Sequence, residues 1–282
     1  MQPRAKREYL RNLVEGKKHW SRPLTDEEKA LGFLGWHERG YLPHCDFPGL
    51  VQFVTFRLVD SLPASRRGEW EHLLKIEDIT EKRTKLEEYL DRGHGDCPLR
   101  DAGIARIVEE ALLHFHDDRY EMLAWCVMPN HVHVLVHIWQ TPLSKLERSW
   151  KQFVQTQANI AVQEGWPSAR HDPAERRPPA RHDPVERRPP ARREGAIARP
   201  ASGRRAAFRW QREYWDTYMR DEQQERTAIR YIENNPLKAR LCAAAGQWLF
   251  SSARFRDEHC RLVLPTHDAT ARRADTDSKA EK

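Results

Sequence analysis

The sequence predicts an α+β fold: a ferredoxin-like two-layer sandwich, an antiparallel sheet with helices on one face. Three observations predict it. Residues 49–60, 120–127 and 131–138 alternate or run apolar in the manner of strands. Residues 66–90, 101–115, 143–162 and 221–234 space their apolar side chains as helices do. The order is strand, helices, strand–turn–strand, helix, helix, which describes sheet and helix layers packed on each other. The chain has 282 residues, room for one large or two small domains.

Taken in order, Thr25-Asp26-Glu27-Glu28 has the form of a capping box and opens a short helix through about Gly32. It belongs to a basic, helical N-terminal extension over 1–45. GLVQFVTFRLVD (49–60) is a strand, with Val51, Phe53, Thr55 and Arg57 on one side and Gln52, Val54, Phe56 and Leu58 on the other. Residues 66–90 are charged, with Trp70, Leu73, Leu74 and Leu86 at helical spacing, and predict one long surface helix. Asp101–Phe115 is an amphipathic helix. YEMLAWCV (120–127) and 131–138 are strands joined by the turn MPN, a hairpin. Residues 143–162 form a helix, and 221–234 a last one that Asn235-Pro236 ends.

Charge divides the chain unevenly. The net charge is +6, with a pI near 9.1. Residues 169–212 hold thirteen arginines, no lysine and five acids, so the positive excess sits there. The segment contains a tandem repeat, ARHDPAERRPP (169–179) then ARHDPVERRPP (180–190). Pro-Pro pairs suit neither helix nor central strand, and the low apolar content cannot offset ordering entropy. Residues 166–207 are therefore expected to be a disordered insert, either a solvated linker or a basic arm for phosphates. It separates a core over 46–165 from a second part of the same domain over 208–255. A polar tail over 256–282 is expected to be disordered.

Five scattered cysteines and no CxxC argue against a disulfide framework or a cysteine zinc site. No apolar run of transmembrane length and no signal-like N-terminus occur, so no membrane role is expected and a cytoplasmic protein is the default.

The chemistry begins at MPNHVHVLV (128–136). Alternation puts His131, His133, Leu135 and His137 on one face and Val132, Val134 and Val136 on the other. The valine face is the core side; the histidine face is expected to meet a cleft or water. Same-face neighbours lie about 7 Å apart at Cα, close enough for two imidazoles to share a divalent ion. Pro129 and Asn130 fix a turn just before them.

MPNHVHVLV resembles the HUH motif (His, bulky apolar, His) of the single-tyrosine transposases, and most closely the REP-associated tyrosine transposases. LVQFVTFRLVDSLP, AWCVMPNHVHVLV, PLSKLERSWKQF, WQREYWDTYMRDE and YIENNPLKARL follow that family's character and order. The resemblance implies a fold of the HUH endonuclease type and a nucleophilic tyrosine on a helix after the histidine strand. The matching residue is Tyr231. It implies a third metal ligand at the same offset from that tyrosine, here Asn235, and a cofactor of Mg²⁺ or Mn²⁺ bound by His131, His133 and Asn235. Tyr231 and Asn235 are four apart, so they share a helical face, and an amide oxygen suits a hard cation. Tyr214 and Tyr218 are competing nucleophiles in a segment that reads as packing and DNA contact.

The implied reaction is transesterification. Tyr231 attacks a phosphodiester of single-stranded DNA near a hairpin or palindromic repeat, giving a 5′-phosphotyrosine and a free 3′-OH. Arg209, Trp210, Arg212, Tyr214 and Trp215 interleave cations with aromatics, as single-strand binders do, and Lys238 and Arg240 lie where phosphates could be met. Glu233 is expected to be solvated. Arg240 departs from the family, which usually has Gly there; Gly suits a left-handed position, and a local adjustment is expected. The insert lengthens the tether of the tyrosine helix, so a monomer and a homodimer that exchanges Tyr231 both stay open. Two other readings also stay open: a metal-dependent phosphodiesterase that activates water, and a binding module of the same fold without turnover.

Overall fold

The computed structural model describes residues 22–38, 43–163 and 208–265. The predicted insert over 166–207, residues 1–21 of the predicted N-terminal extension and the end of the tail from 266 lie outside the described residues. Helix α1 (Asp26–Leu31) carries the predicted capping box. Thr25 Oγ1 accepts from Glu28 N, the Glu28 carboxylate accepts from Thr25 N, and Gly32 closes the helix at φ 93°. Two strands that the alternation did not disclose follow, β1 (Gly35–Glu38) and β2 (Pro43–Asp46), paired antiparallel. They stand where a helical extension was expected.

Strand β3 (Val51–Arg57) enters the main sheet. The predicted long helix over 66–90 is two helices, α2 (Arg67–Leu74) and α3 (Ile79–Asp91). The break has a local cause: the Asp78 side chain accepts from Glu81 N and starts a new helix. Helix α4 (Ala102–Leu113) is capped by Asp101, whose carboxylate accepts from Gly103 N and Ile104 N. Strands β4 (Tyr120–Val127) and β5 (His131–Ile138) form the predicted hairpin, and α5 (Leu143–Gln163) follows. A short strand, β6 (Trp215–Tyr218), was not foreseen; it pairs with β3 at the sheet edge.

Helix α6 (Glu222–Lys238) starts at an Asp221 cap and continues through Pro236, where the sequence predicted its end. Pro236 cannot donate to the preceding turn, but it sits so near the C-terminus that only this bond is lost. Leu241 N then reaches back to Pro236 O, and Arg240 N to Leu237 O. Arg240 holds φ 57°, so the left-handed position that favours glycine is kept rather than adjusted away.

The sheet order is β4-β5-β3-β6, all antiparallel. With α2 to α4 between β3 and β4, and α5 between β5 and β6, this is the β-α-β-β-α-β ground plan of the ferredoxin-like sandwich. Val132, Val134 and Val136 point into the larger core with Ile104, Val108, Leu112, Leu146, Trp150 and Val154 of α4 and α5. The opposite face is covered as well. Ile232 is buried with Leu135, Phe53 and Cys126, and Leu86 and Leu90 of α3 pack on Trp215. The histidine face therefore meets helices α3 and α6, not open water, and every residue of β5 is buried.

The segment after α6 is ordered further than predicted. Residues 256–265 are described, Leu262 and Leu264 pack on the main core, and Arg256 Nη2 donates to Leu123 O at 2.6 Å. That carbonyl lies at a β-bulge between Met122 and Ala124, which frees it from the ladder. Among the described residues no helix is long and apolar enough to cross a membrane.

Candidate active site

His131 and His133 project from the central strand β5 beneath α3 and α6, both fully buried. Their Nε2 atoms are 3.0 Å apart. Their Nδ1 atoms are held from behind. His131 Nδ1 lies 2.7 Å from Asn130 Oδ1, and His133 Nδ1 lies 2.8 Å from Thr55 Oγ1. The amide oxygen of Asn130 can only accept, so His131 keeps its proton on Nδ1 and presents a lone pair at Nε2. The Thr55 hydroxyl permits the same tautomer in His133. Asn130 is pinned by its own Nδ2, which donates to His94 O at 2.9 Å. Such outer partners fix ring orientation at metal sites.

Two more groups converge on the pair. Asn235 Nδ2 stands 3.1 Å from His133 Nε2, while its Oδ1 is buried without a hydrogen-bond partner. Asp91 Oδ1 is likewise buried without a hydrogen-bond partner, 3.6 Å from His131 Nε2. Asp91, His131 and His133 each offer a ligand atom within 4.8 Å of one another. Two imine nitrogens and two oxygens lacking donors fit a divalent cation. Ligands about 2.1 Å from one ion at right angles stand about 3.0 Å apart, the separation the two Nε2 atoms already have.

Electrostatics favour the neutral, ligating rings. Burial first, then the positive field of Arg83 and Lys238, lowers the pKa of His133 to about 3. Burial, with His133 and Arg57, holds His131 well below its ordinary value. Burial and the neighbouring Glu87 raise the Asp91 carboxyl to about 7.

Tyr231 sits one turn before Asn235 on α6 and comes edge-on to His133, ring centroids 5.8 Å apart. Its hydroxyl donates to Glu87 Oε2 at 2.6 Å. Burial, and then Glu87, hold the phenol well above its usual range. Lys238 Nζ lies 4.3 Å from the centre of the Tyr231 ring. The nucleophile candidate, the amide and both histidines thus meet within one chain.

The structure treats the remaining predicted residues differently. Arg209, Arg212, Lys238 and Arg240 are exposed. Trp210, Tyr214 and Trp215 are buried, so in this arrangement their rings fill cores and offer no face to a base. Trp210 packs edge-on against Phe56 and Phe208, and Tyr214 lies against His44. Tyr218 lies in edge strand β6, against Trp36. Glu233, expected to be solvated, accepts from Ser252 Oγ at 2.6 Å and Arg256 Nε at 2.8 Å. His137 shares the histidine face but lies at the far end of β5, 3.5 Å from Glu121 Oε2. Asp91, Glu87 and Arg83 were not singled out from the sequence. Their spacing of four along α3 was the available signal, one polar stripe on one helical face.

No family model and no curated protein sequence matches the chain. One solved structure to which the chain is similar is described as the "Structure of the REP associates tyrosine transposase bound to a REP hairpin"; the match covers 82% of this chain and 93% of that one, at 15% identity and a TM-score of 0.38.

Proposed function

We propose that the protein is a metal-dependent, single-tyrosine DNA strand transferase. It cuts single-stranded DNA beside a hairpin or palindromic repeat and rejoins it through a 5′-phosphotyrosine on Tyr231. The observation that carries this reading is the convergence of Tyr231 and Asn235, on one turn of α6, upon the buried His131/His133 pair. The resemblance of MPNHVHVLV and YIENNPLKARL to the REP-associated tyrosine transposases supports the same reading.

His131, His133 and Asn235 would hold the ion, with Asp91 as a further carboxylate ligand. The family resemblance implies Mn²⁺ or Mg²⁺; the two oxygens suit either ion, and the two imidazoles favour Mn²⁺ of the pair. When bound, the ion polarises a non-bridging phosphate oxygen. The chain supplies the rest. Asn130 and Thr55 hold the imidazoles with Nε2 forward. Lys238 and Arg83 place positive charge beside the phenol where a phosphate enters. Tyr231 forms the new O–P bond, and the 3′-oxygen leaves as the 3′-OH. The phosphotyrosine conserves the phosphodiester bond energy, so a second 3′-OH can reseal the strand. Arg209, Arg212 and Arg240, all exposed, are proposed backbone contacts.

The test incubates the chain with end-labelled hairpin single strands and Mn²⁺ and resolves the products on a denaturing gel. A protein–DNA adduct is expected, and Tyr231→Phe removes it. An adduct that survives Tyr231→Phe assigns another nucleophile. Cleavage to a free 5′-phosphate with no adduct favours attack by water.

A further inference from the structure

Arg83, Glu87 and Asp91 form one stripe on α3, and each reaches a different part of the site. Asp91 meets the histidine pair. Glu87 is buried to 7% exposure and meets only polar partners at its carboxylate: Tyr231 Oη–H donates to Oε2 at 2.6 Å and Arg83 Nε donates to Oε1 at 3.0 Å. Arg83 is itself fixed. Its Nη1 donates to Thr217 Oγ1 on β6, and its guanidinium lies 4.5 Å over the Phe53 ring. Apolar packing of α3 on the sheet does not need this carboxylate, since Leu86 and Leu90 pack on Trp215. Burying a charge costs several kcal/mol unless it is paired. The pairing is arranged so that one oxygen is clamped by Arg83 and the other faces the phenol proton.

We propose that Glu87 is the general base for the attack by Tyr231, with Arg83 as the positioning residue that aims its carboxylate. As the Tyr231 oxygen bonds to phosphorus, its O–H breaks and the proton passes to Glu87 Oε2. The P–O3′ bond breaks, and the departing 3′-oxygen takes a proton from water. In resealing, a 3′-OH attacks the phosphotyrosine and gives its proton to water, while the departing phenolate recovers the proton from Glu87. No redox partner is needed. The proposal rests on the reading of Tyr231 as nucleophile and adds to it the residue that receives the proton.

The decisive variant is Glu87→Gln. Its amide oxygen can still accept from the phenol, but the bond from Arg83 Nε is then lost. Arg83→Gln, which loses the same clamp and keeps the carboxylate, is therefore the control for position and is expected to be less impaired. With excess protein, Mn²⁺ and labelled hairpin DNA, adduct formation in Glu87→Gln is expected to fall by about 100-fold or more. Hairpin binding stays unchanged. Glu87→Asp, which keeps a displaced carboxylate, is expected between the two, and it also serves if the Gln variant melts below the assay temperature. Fluorotyrosine placed at 231, a more acidic phenol, is expected to restore about ten-fold to Glu87→Gln and little to wild type. A Glu87→Gln rate within about three-fold of wild type, or no relief by fluorotyrosine, overturns the proposal while the wild-type adduct upholds Tyr231. A wild-type chain that forms no adduct at Tyr231 overturns both.

Discussion

Strand β5 presents two faces that are equally buried and chemically opposite. Val132, Val134 and Val136 meet the apolar side chains of α4 and α5; His131 and His133 meet Asp91, Tyr231 and Asn235 from α3 and α6. Burial alone therefore does not distinguish the core from the candidate site in this molecule. What distinguishes the faces is where unpaired oxygens gather beside ligating nitrogens. The valines carry no polar side-chain atoms, and in the core they enter Trp150 Nε1 donates to Tyr120 Oη. The histidine face sets Asp91 Oδ1 and Asn235 Oδ1, both buried without hydrogen-bond partners, beside two imidazole nitrogens; each such group costs about 1–3 kcal/mol, which a bound cation would offset.

That contrast can be broken from either side. His133→Ala should lower adduct formation per folded molecule by roughly 100- to 1000-fold, read from single-turnover gels. Leu112→Ala, in the fully buried apolar layer, should do the reverse. It should cost about 2–5 kcal/mol in urea unfolding, with the adduct rate per folded molecule intact. A His133→Ala chain that retains its rate, or a Leu112→Ala chain that loses its rate while folded, would undo the division.

Metal binding sharpens it. Mn²⁺ at about 100 times its dissociation constant should add about 2.7 kcal/mol to stability, seen as a rise in melting temperature. Leu112→Ala should show the same increment and Asp91→Ala a much smaller one. Equal increments in all three would place the ion elsewhere.

Acid should act through the histidine face. In the metal-free chain His131 and His133 have depressed folded values, so below about pH 6.5 the unfolded chain binds protons the folded chain does not. Stability then falls on acidification by up to about 1.4 kcal/mol per pH unit for each ring. Asp91 has the opposite sign. Raised from 3.8 to about 7, it holds a proton in the folded chain across that window, so its share of stability is lost as pH rises. Asp91→Asn removes this offset, and its stability should fall more steeply between pH 6.5 and 4 than that of the wild type. A shallower fall on chemical denaturation at stepped pH would contradict the assignment. The smallest effect is local: Arg240→Gly should stabilise by about 1 kcal/mol, because glycine holds the left-handed φ without strain.

Half of the site was legible in the sequence, and the reason is periodicity. Strand alternation put His131 and His133 on one face, and the helical offset of four put Tyr231 beside Asn235. Both are local relations that survive without knowledge of the fold. Asp91, Glu87 and Arg83 were not legible because their role depends on α3 crossing the histidine face, a relation set by β6, Trp215 and the break at Asp78. Read as one surface helix, that stripe is ordinary solvated charge. The aromatics were ambiguous for a related reason. Trp210, Tyr214 and Trp215 have the composition of a base-stacking platform and equally of a packing segment. The structure buries all three, and β6, which starts only at Trp215 and runs four residues, gave no alternation to decide between the two.

The account depends most on the chemical identity of the nucleophile. Digestion of the wild-type reaction with Mn²⁺ and hairpin DNA, followed by mass spectrometry of the nucleotide-linked peptide, tests it directly. The predicted result is a single modified peptide with the nucleotide on Tyr231. A nucleotide on Tyr214 or Tyr218, or cleaved DNA with no linked peptide at all, would contradict it.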